Sequence, residues 1–334
     1  MKNINFKQLF ADNSALFALI IIFCAAIALR GDMFLSVNNI RNILLNNAVV
    51  GIIALGMTLV IISGGIDLSV GAKLAFTGLI TISVVNSTGN IILGILAGIL
   101  SGAVMGSLTG VLVAKFSIPA FIVTLGMMRI FRSVAQHLYR GGGVLVGRDV
   151  FEFTQISNTR LFGEIPLPVI YWLVLCVAVD FITKRTAFGR HVYAVGSNER
   201  AVNLSGINTA MVKIYVYMLS GALVAVAAII EASRLGSMNS AASGLGYELE
   251  AIAAVVIGGT AMSGGRGRIM GTLYGTLTLG IINNMMNLMG FPSFLAGAIQ
   301  GAIVIIAVLL QQCRLPGRAA FVPLLRKKRA LRSD

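Results

Sequence analysis

The residues in this sequence best placed to do chemistry are acidic and amide side chains set among apolar ones, and Asp67 heads them. It is the acidic residue flanked closely on both sides by long apolar runs. An ionised carboxylate at the centre of a spanning helix costs about 2.5–3.5 kcal/mol on insertion scales, so it needs partners. Gly64 and Gly65 just before it permit a sharp break, which leaves the first amides of the next helix open to capping. Two roles stay open for Asp67: N-cap of that helix, or a direct part in solute passage or gating. Amides gather at Asn46 and Asn47 and at Asn283, Asn284 and Asn287. In lipid they would be costly, so they face other helices or a water-filled path. There they either pass a neutral polar solute or fasten the bundle by interhelical hydrogen bonds.

Other reactive groups form no constellation. His137 and His191 stand 54 residues apart, and no serine sits in a nucleophile elbow. Cys24, Cys176 and Cys313 are far apart, have no metal-ligand spacing, and read as small apolar fillers. The glycines from Gly258 to Gly267, with Gly258 and Gly259 a second break, lack the Lys-Ser/Thr of a phosphate loop. So does Gly142 to Arg148. No catalytic residue, metal site or bound cofactor is expected, and any ATP must be bound, with its magnesium, by another chain.

The elements that must position these residues are dictated by lipid. The chain of 334 residues is 57% hydrophobic and 11% charged, with a mean hydropathy of +0.90, outside the range of water-soluble domains. Its apolar runs are each about the 20 residues that cross a hydrocarbon layer. They are apolar all round with Gly and Ala interspersed, rather than alternating, which favours packed helices over a barrel. The expected fold is an all-α polytopic transmembrane bundle of about ten helices, near 15–34, 42–63, 66–85, 91–114, 119–139, 166–183, 214–234, 247–262, 269–289 and 293–312. The run Leu16 to Leu29 imitates a secretory signal, but no clear small-residue cleavage site follows, and it is kept as the first helix.

A net charge of +14 would suit nucleic acid if it were clustered on one soluble face, but here it is topological. With the N-terminus cytoplasmic, the inner segments hold 17 of the 26 basic residues, including seven in the tail. Both termini are thus expected inside. The division is 1–313 for the membrane domain and 314–334 for a basic cytoplasmic tail. The outward segment Gly141 to Pro166 carries mixed charge. Inward lies the loop 184–213, in which Ser197, Asn198, Glu199 and Arg200 offer a helix start, Ala201 to Leu204 continue it, and Gly206 supplies a stop. That predicts a short helix on the membrane surface, against the plainer reading of a basic loop that only fixes orientation. The pattern from Gly64 to Gly71 recurs from Gly258 to Gly265, and LAGILSGAV at Leu96 resembles LAGAIQGAI at Leu295. The offsets, 194 and 199, suggest an internal repeat whose copies run parallel.

Four runs carry a family resemblance: GMTLVIISGGIDLSVG from Gly56, TLGMMRIFR from Thr124, GRHVYAVGSNERAVNLSGIN from Gly189, and GYELEAIAAVVIGGTAMSGGRGRIMGTLYG from Gly246. In this order they resemble the permease subunits of monosaccharide ABC importers, ribose permeases above all, over residues 15–312. The resemblance implies a bacterial inner-membrane protein, a second permease subunit of the same kind, a cytoplasmic ATPase that binds ATP and Mg, and a periplasmic sugar-binding protein. It implies a monosaccharide as solute, lipid as surroundings and no nucleic acid. The segment Gly196 to Ile207, with Asn198, Glu199, Arg200, Ala201, Leu204, Ser205 and Gly206, matches the family's coupling segment, which takes ATPase movement into the bundle. An ion-coupled secondary sugar transporter, with Asp67 as coupling carboxylate, is the competing expectation.

Overall fold

In a computed structural model, the structure describes residues 13–292 except Ser117 and Phe162, and scattered positions between 295 and 309. The apolar runs become helices α1 (Ser14–Phe34), α2 (Val37–Ile62), α3 (Val70–Thr88), α4 (Ile91–Lys115), α5 (Ala120–Leu138), α6 (Gln155–Asn158), α7 (Leu167–Arg185), α8 (Ala187–Leu204), α9 (Thr209–Leu235), α10 (Tyr247–Ile257) and α11 (Ile269–Leu288). Six of them, α1, α2, α3, α4, α7 and α9, are long and apolar enough to cross a membrane. Helices α5 and α11 have the length, 19 and 20 residues, with a more polar composition.

Two expected spans change. The run expected at 247–262 yields only the 11 residues of α10, about 17 Å of helix and half a crossing. The reason is the glycine turn that follows it. Likewise the span expected from residue 66 begins at Val70, because Ser63 to Ser69 form a break rather than helix. The expected span at 293–312 and the tail 314–334, with Cys313, lie largely or wholly outside the described residues.

Helices α2, α3 and α9 are mostly buried, while α1, α4 and α7 turn Ile20, Ile21, Leu96, Leu100, Val174 and Val177 outward. This is the inverse of a soluble core: apolar side chains line both the interior and the rim, since lipid welcomes them. Close packing comes from small residues. A Cβ on Gly102 or Gly106 of α4 would fall on the carbonyls of Gly221 and Tyr217 of α9, so only glycine lets these two backbones meet. At the end opposite the α2 break, the connection between α5 and α7 folds into β1 (Gly143–Leu145), a 3₁₀ turn (Arg148–Thr154), α6, and the hairpin β2 (Arg160–Leu161) with β3 (Ile165–Pro166). Strand β1 pairs antiparallel with β4 (Ser237–Asn239) just after α9. Arg41, near the start of α2, donates to Glu164 of this cap, so the start of α2 lies beside it.

Candidate functional site: a glycine junction, a buried ion pair and an amide-lined cavity

Three glycine turns end helices in the same way. After α2, the Gly64 amide donates to Ile61 O (3.0 Å) and the Gly65 amide to Val60 O (2.9 Å). After α10, the amides of Gly259 and Thr260 donate to Val256 O and Val255 O (3.0 and 3.2 Å). After α8, those of Gly206 and Ile207 donate to Asn203 O and Val202 O (3.1 and 3.4 Å). In each, the glycine at φ of +85° to +87° closes the cap, a conformation in which a Cβ is strained.

Helix α8 is longer than the surface helix expected. It begins at Ala187, where the Thr186 hydroxyl caps the Gly189 amide (3.1 Å), and breaks at Asn198 (φ −158°, ψ 91°). Asn198 then starts the short segment foreseen from sequence: its side-chain oxygen accepts from the Ala201 amide at 3.0 Å, and Gly206 ends it. Leu204 is 90% exposed on this segment, while Val202 is buried under it. Glu199 pairs with Lys213 of α9 at 2.6 Å, and Ala201 and Arg200 face solvent. Glu199 and Lys213 also line a cavity of about 350 Å³ with Gly64, Gly65, Pro119 and Tyr217.

The tertiary structure brings both breaks to this segment. A Cβ on Gly196 would lie on the Ile62 carbonyl, the same oxygen that accepts from the Gly265 amide at 2.8 Å. A Cβ on Gly264 would come within 2.9 Å of Gly196 O and 3.1 Å of the Gly64 Cα. Tyr193 donates to Gly267 O at 2.9 Å. Burial, with Asp180 nearby, pushes the Tyr193 hydroxyl above its ordinary pKa and keeps it a donor. The ends of α2 and α10 and the middle of α8 thus meet backbone to backbone.

Beside this junction, Asp67 and Lys73 form a fully buried ion pair at 2.6 Å, both side chains 0% exposed. The other carboxylate oxygen of Asp67 accepts from the Ser69 amide (2.9 Å) and hydroxyl (2.5 Å). The N-cap position of α3 belongs to Ser69, so Asp67 sits two residues outside it, holding the turn rather than capping the helix. The break's Ile66 carbonyl accepts from Thr124 (3.1 Å) and Tyr217 (3.4 Å). The pairing satisfies polar groups that the irregular backbone leaves outside helix hydrogen bonding. Asp67 lines neither cavity described here.

The amides do converge. Asn46, Asn47, Asn283, Asn284 and Asn287 line one cavity of about 320 Å³ together with Glu231, Arg234, Tyr247 and Glu250. Asn39 and Asn284 exchange side-chain hydrogen bonds (3.1 and 2.7 Å), and Arg234 donates to Asn46 at 2.5 Å. Sequence reasoning missed Lys73 as Asp67's partner, although it is a lysine within an apolar run six residues away. It also missed Glu231 and Asp180, acids inside α9 and α7: Asp180 pairs with Lys184 at 2.9 Å, while Glu231 is 5% exposed. Asp67 is therefore not alone among acids in apolar surroundings. The signal was present in AAIIEASRL, where a single acid interrupts an apolar run.

A helical bundle with paired helix breaks, a helix braced against both, and an amide-rich internal cavity fits a membrane permease. The chain belongs to the family described as branched-chain amino acid transport system / permease component, whose pattern matches residues 39–308. It is 42% identical over 312 residues to the ribose import permease protein RbsC of Escherichia coli, covering 91% of this chain and 94% of that protein. It is 43% identical over 297 residues to the RbsC of Bacillus subtilis (89% and 90%), and 33% over 309 residues to the L-arabinose ABC transporter permease protein AraH of Azospirillum brasilense (92% and 90%). No solved structure matches the chain.

Proposed function

We propose that this protein is the membrane-spanning permease subunit of an ATP-driven importer in the bacterial inner membrane, translocating ribose or a similar monosaccharide delivered by a periplasmic binding protein. The observation that carries this reading is the 42% identity to a ribose import permease over 91% of the chain. The amide-rich cavity fits it, since a neutral polyol needs a mixture of donors and acceptors. This chain binds no cofactor. ATP and Mg sit on a cytoplasmic ATPase that docks on the loop 184–213, and no nucleic acid is involved.

In that reading, ATP-driven closure of the ATPase pushes α8 near Leu204. The backbone contacts at Gly196, Gly264 and Gly265 pass the push to the ends of α2 and α10, a small shift amplified because packed elements move as bodies. Ten spans with both termini inside, a membrane domain of 1–313 and a basic tail of 314–334 complete the arrangement. The matching caps at Gly64 and Gly259 support a parallel repeat. Their offset of 195 grows to 199 at the starts of α3 and α11, because the second break is four residues longer.

The second subunit is an identical copy. Helix α5 supports this: Arg129, Ser133 and His137 form an exposed row at helical spacing, flanked by exposed Leu125, Ile130 and Val134. An arginine facing lipid costs about 2.5–3.5 kcal/mol on insertion scales, so this face is covered by protein or by water enclosed between two copies.

The test is reconstitution with the ATPase and binding protein in proteoliposomes. Labelled ribose should accumulate only with ATP and should survive proton and sodium ionophores. Uptake that ignores ATP and collapses with the ion gradient would establish the secondary transporter instead, a reading the family membership does not favour.

A further inference from the structure

Glu231 stands out among the cavity residues because nothing among the described residues uses all of it. The residue is 5% exposed, and its Oε2 has no hydrogen-bond partner among the described residues. The Tyr247 hydroxyl hydrogen-bonds the carboxylate, and Arg234, one turn further along α9, is engaged by Asn46 rather than by Glu231. A buried carboxylate oxygen left open is costly, and such groups persist where a ligand completes them. Glu231 lines a cavity of about 320 Å³, its open oxygen shielded in the wall, and the lining adds amides, a tyrosine hydroxyl, a guanidinium, the Glu250 carboxylate and apolar side chains such as Val49 and Val50.

We infer that this cavity is a binding site for a neutral polyol, in which Glu231 accepts a hydrogen bond from a hydroxyl and Asn46, Asn283 and Asn287 offer amides to neighbouring hydroxyls. The inference rests on the sugar-import reading and deepens it by naming the chain's own contact with the sugar. Charge argues for the class of ligand. A metal cation is disfavoured by the Arg234 guanidinium at the wall, and an anion by the carboxylates of Glu231 and Glu250. Adjacent hydroxyls, each both donor and acceptor, suit a wall that mixes carboxylate, amide and phenol. The volume lies at the small end of ligand pockets, which fits a monosaccharide rather than an oligosaccharide. Position agrees too: Glu231 lies four residues from the end of α9, on the side capped by the β1–β4 ribbon, where a binding protein would release sugar.

Glu231 is then a substrate-contacting residue whose partner Tyr247 holds it in place. Because the binding protein performs the tight selection, this site should be weak, with millimolar affinity, so that sugar leaves it readily.

The permease purified alone in detergent is titrated with radiolabelled ribose by equilibrium dialysis, with mannitol and choline as competitors. Saturable binding is expected, displaced by mannitol and not by choline. Glu231→Ala should weaken it at least tenfold, Glu231→Gln less, since an amide oxygen still accepts, and Tyr247→Phe by a few fold. Each variant is first shown to be monodisperse with an unchanged melting temperature. A variant that fails this check is replaced by Asn283→Ala, expected to weaken binding several fold. Absence of saturable binding by the wild type, or binding by Glu231→Ala equal to wild type, would overturn the inference. ATP-dependent uptake by the complete importer is measured in parallel: normal uptake without binding sinks the site alone, while absence of ATP-dependent uptake sinks the import reading.

Discussion

Replacing Asp67 by Asn and Lys73 by Met, singly and together, tests what the buried ion pair does. The two side chains lie 2.6 Å apart and are wholly shielded from water and lipid. Removing one member of such a pair leaves the other charge desolvated and costs about 3–5 kcal/mol, whereas removing both together is often close to neutral. In Asp67→Asn the new amide would keep an oxygen for the Ser69 amide and hydroxyl, so the turn survives in hydrogen bonding and only the charge balance is lost. Asp67→Asn alone should therefore destabilise by about 3 kcal/mol or more, Lys73→Met alone by a similar amount because it leaves the buried carboxylate without its countercharge, and the double variant by no more than about 2 kcal/mol. The coupling energy of the cycle should thus be about 4 kcal/mol or more in magnitude. Thermal unfolding of the detergent-purified protein reads stability, and ATP-dependent uptake reads function. If the double variant falls by the sum of the singles, the two residues do not act as a pair and the electrostatic account of the break is wrong. If it is stable yet transports nothing, Asp67 has a role in passage beyond neutralising Lys73.

Further substitutions probe the proposed coupling segment and the helix packing. Gly206→Val places a β-branched residue at φ +85°, which should cost about 1–3 kcal/mol locally; ATP hydrolysis should persist while sugar uptake falls, measured as the ratio of the two in proteoliposomes. Leu204→Asp alters a side chain that is 90% exposed, so melting temperature should hold while ATPase co-purification drops severalfold; retained co-purification would count against docking there. Gly196→Val, whose side chain would fall on the Ile62 carbonyl, should lower both stability and uptake, and an unchanged protein would mean the junction is looser than described. Gly102→Val in α4 should destabilise by more than about 3 kcal/mol by prising α4 from α9, read as loss of folded protein in detergent.

What was legible in the sequence is what depends on local pattern. Long apolar runs imposed helices, since lipid offers no partner to a free amide. Asn198 as a helix start and Gly206 as a stop could be read from side-chain chemistry within a short stretch of chain. The two glycine breaks were visible as punctuation. That α10 is only half a span was not, because a run of apolar residues does not say where a backbone turns when glycine permits either course.

Long-range pairing was decided by the fold alone. Lys73 meets Asp67 because a break followed by one helical turn folds a six-residue spacing back on itself, a geometry no helical periodicity encodes. Asn46 and Asn47 on α2 meet Asn283, Asn284 and Asn287 on α11, more than two hundred residues away, only once the helices have packed. The meeting of Gly64, Gly196 and Gly264 has the same origin. Residue type sets the backbone freedom of each glycine, but which other backbone lies within reach is settled by how small residues let helices approach, and that is a property of the packed bundle.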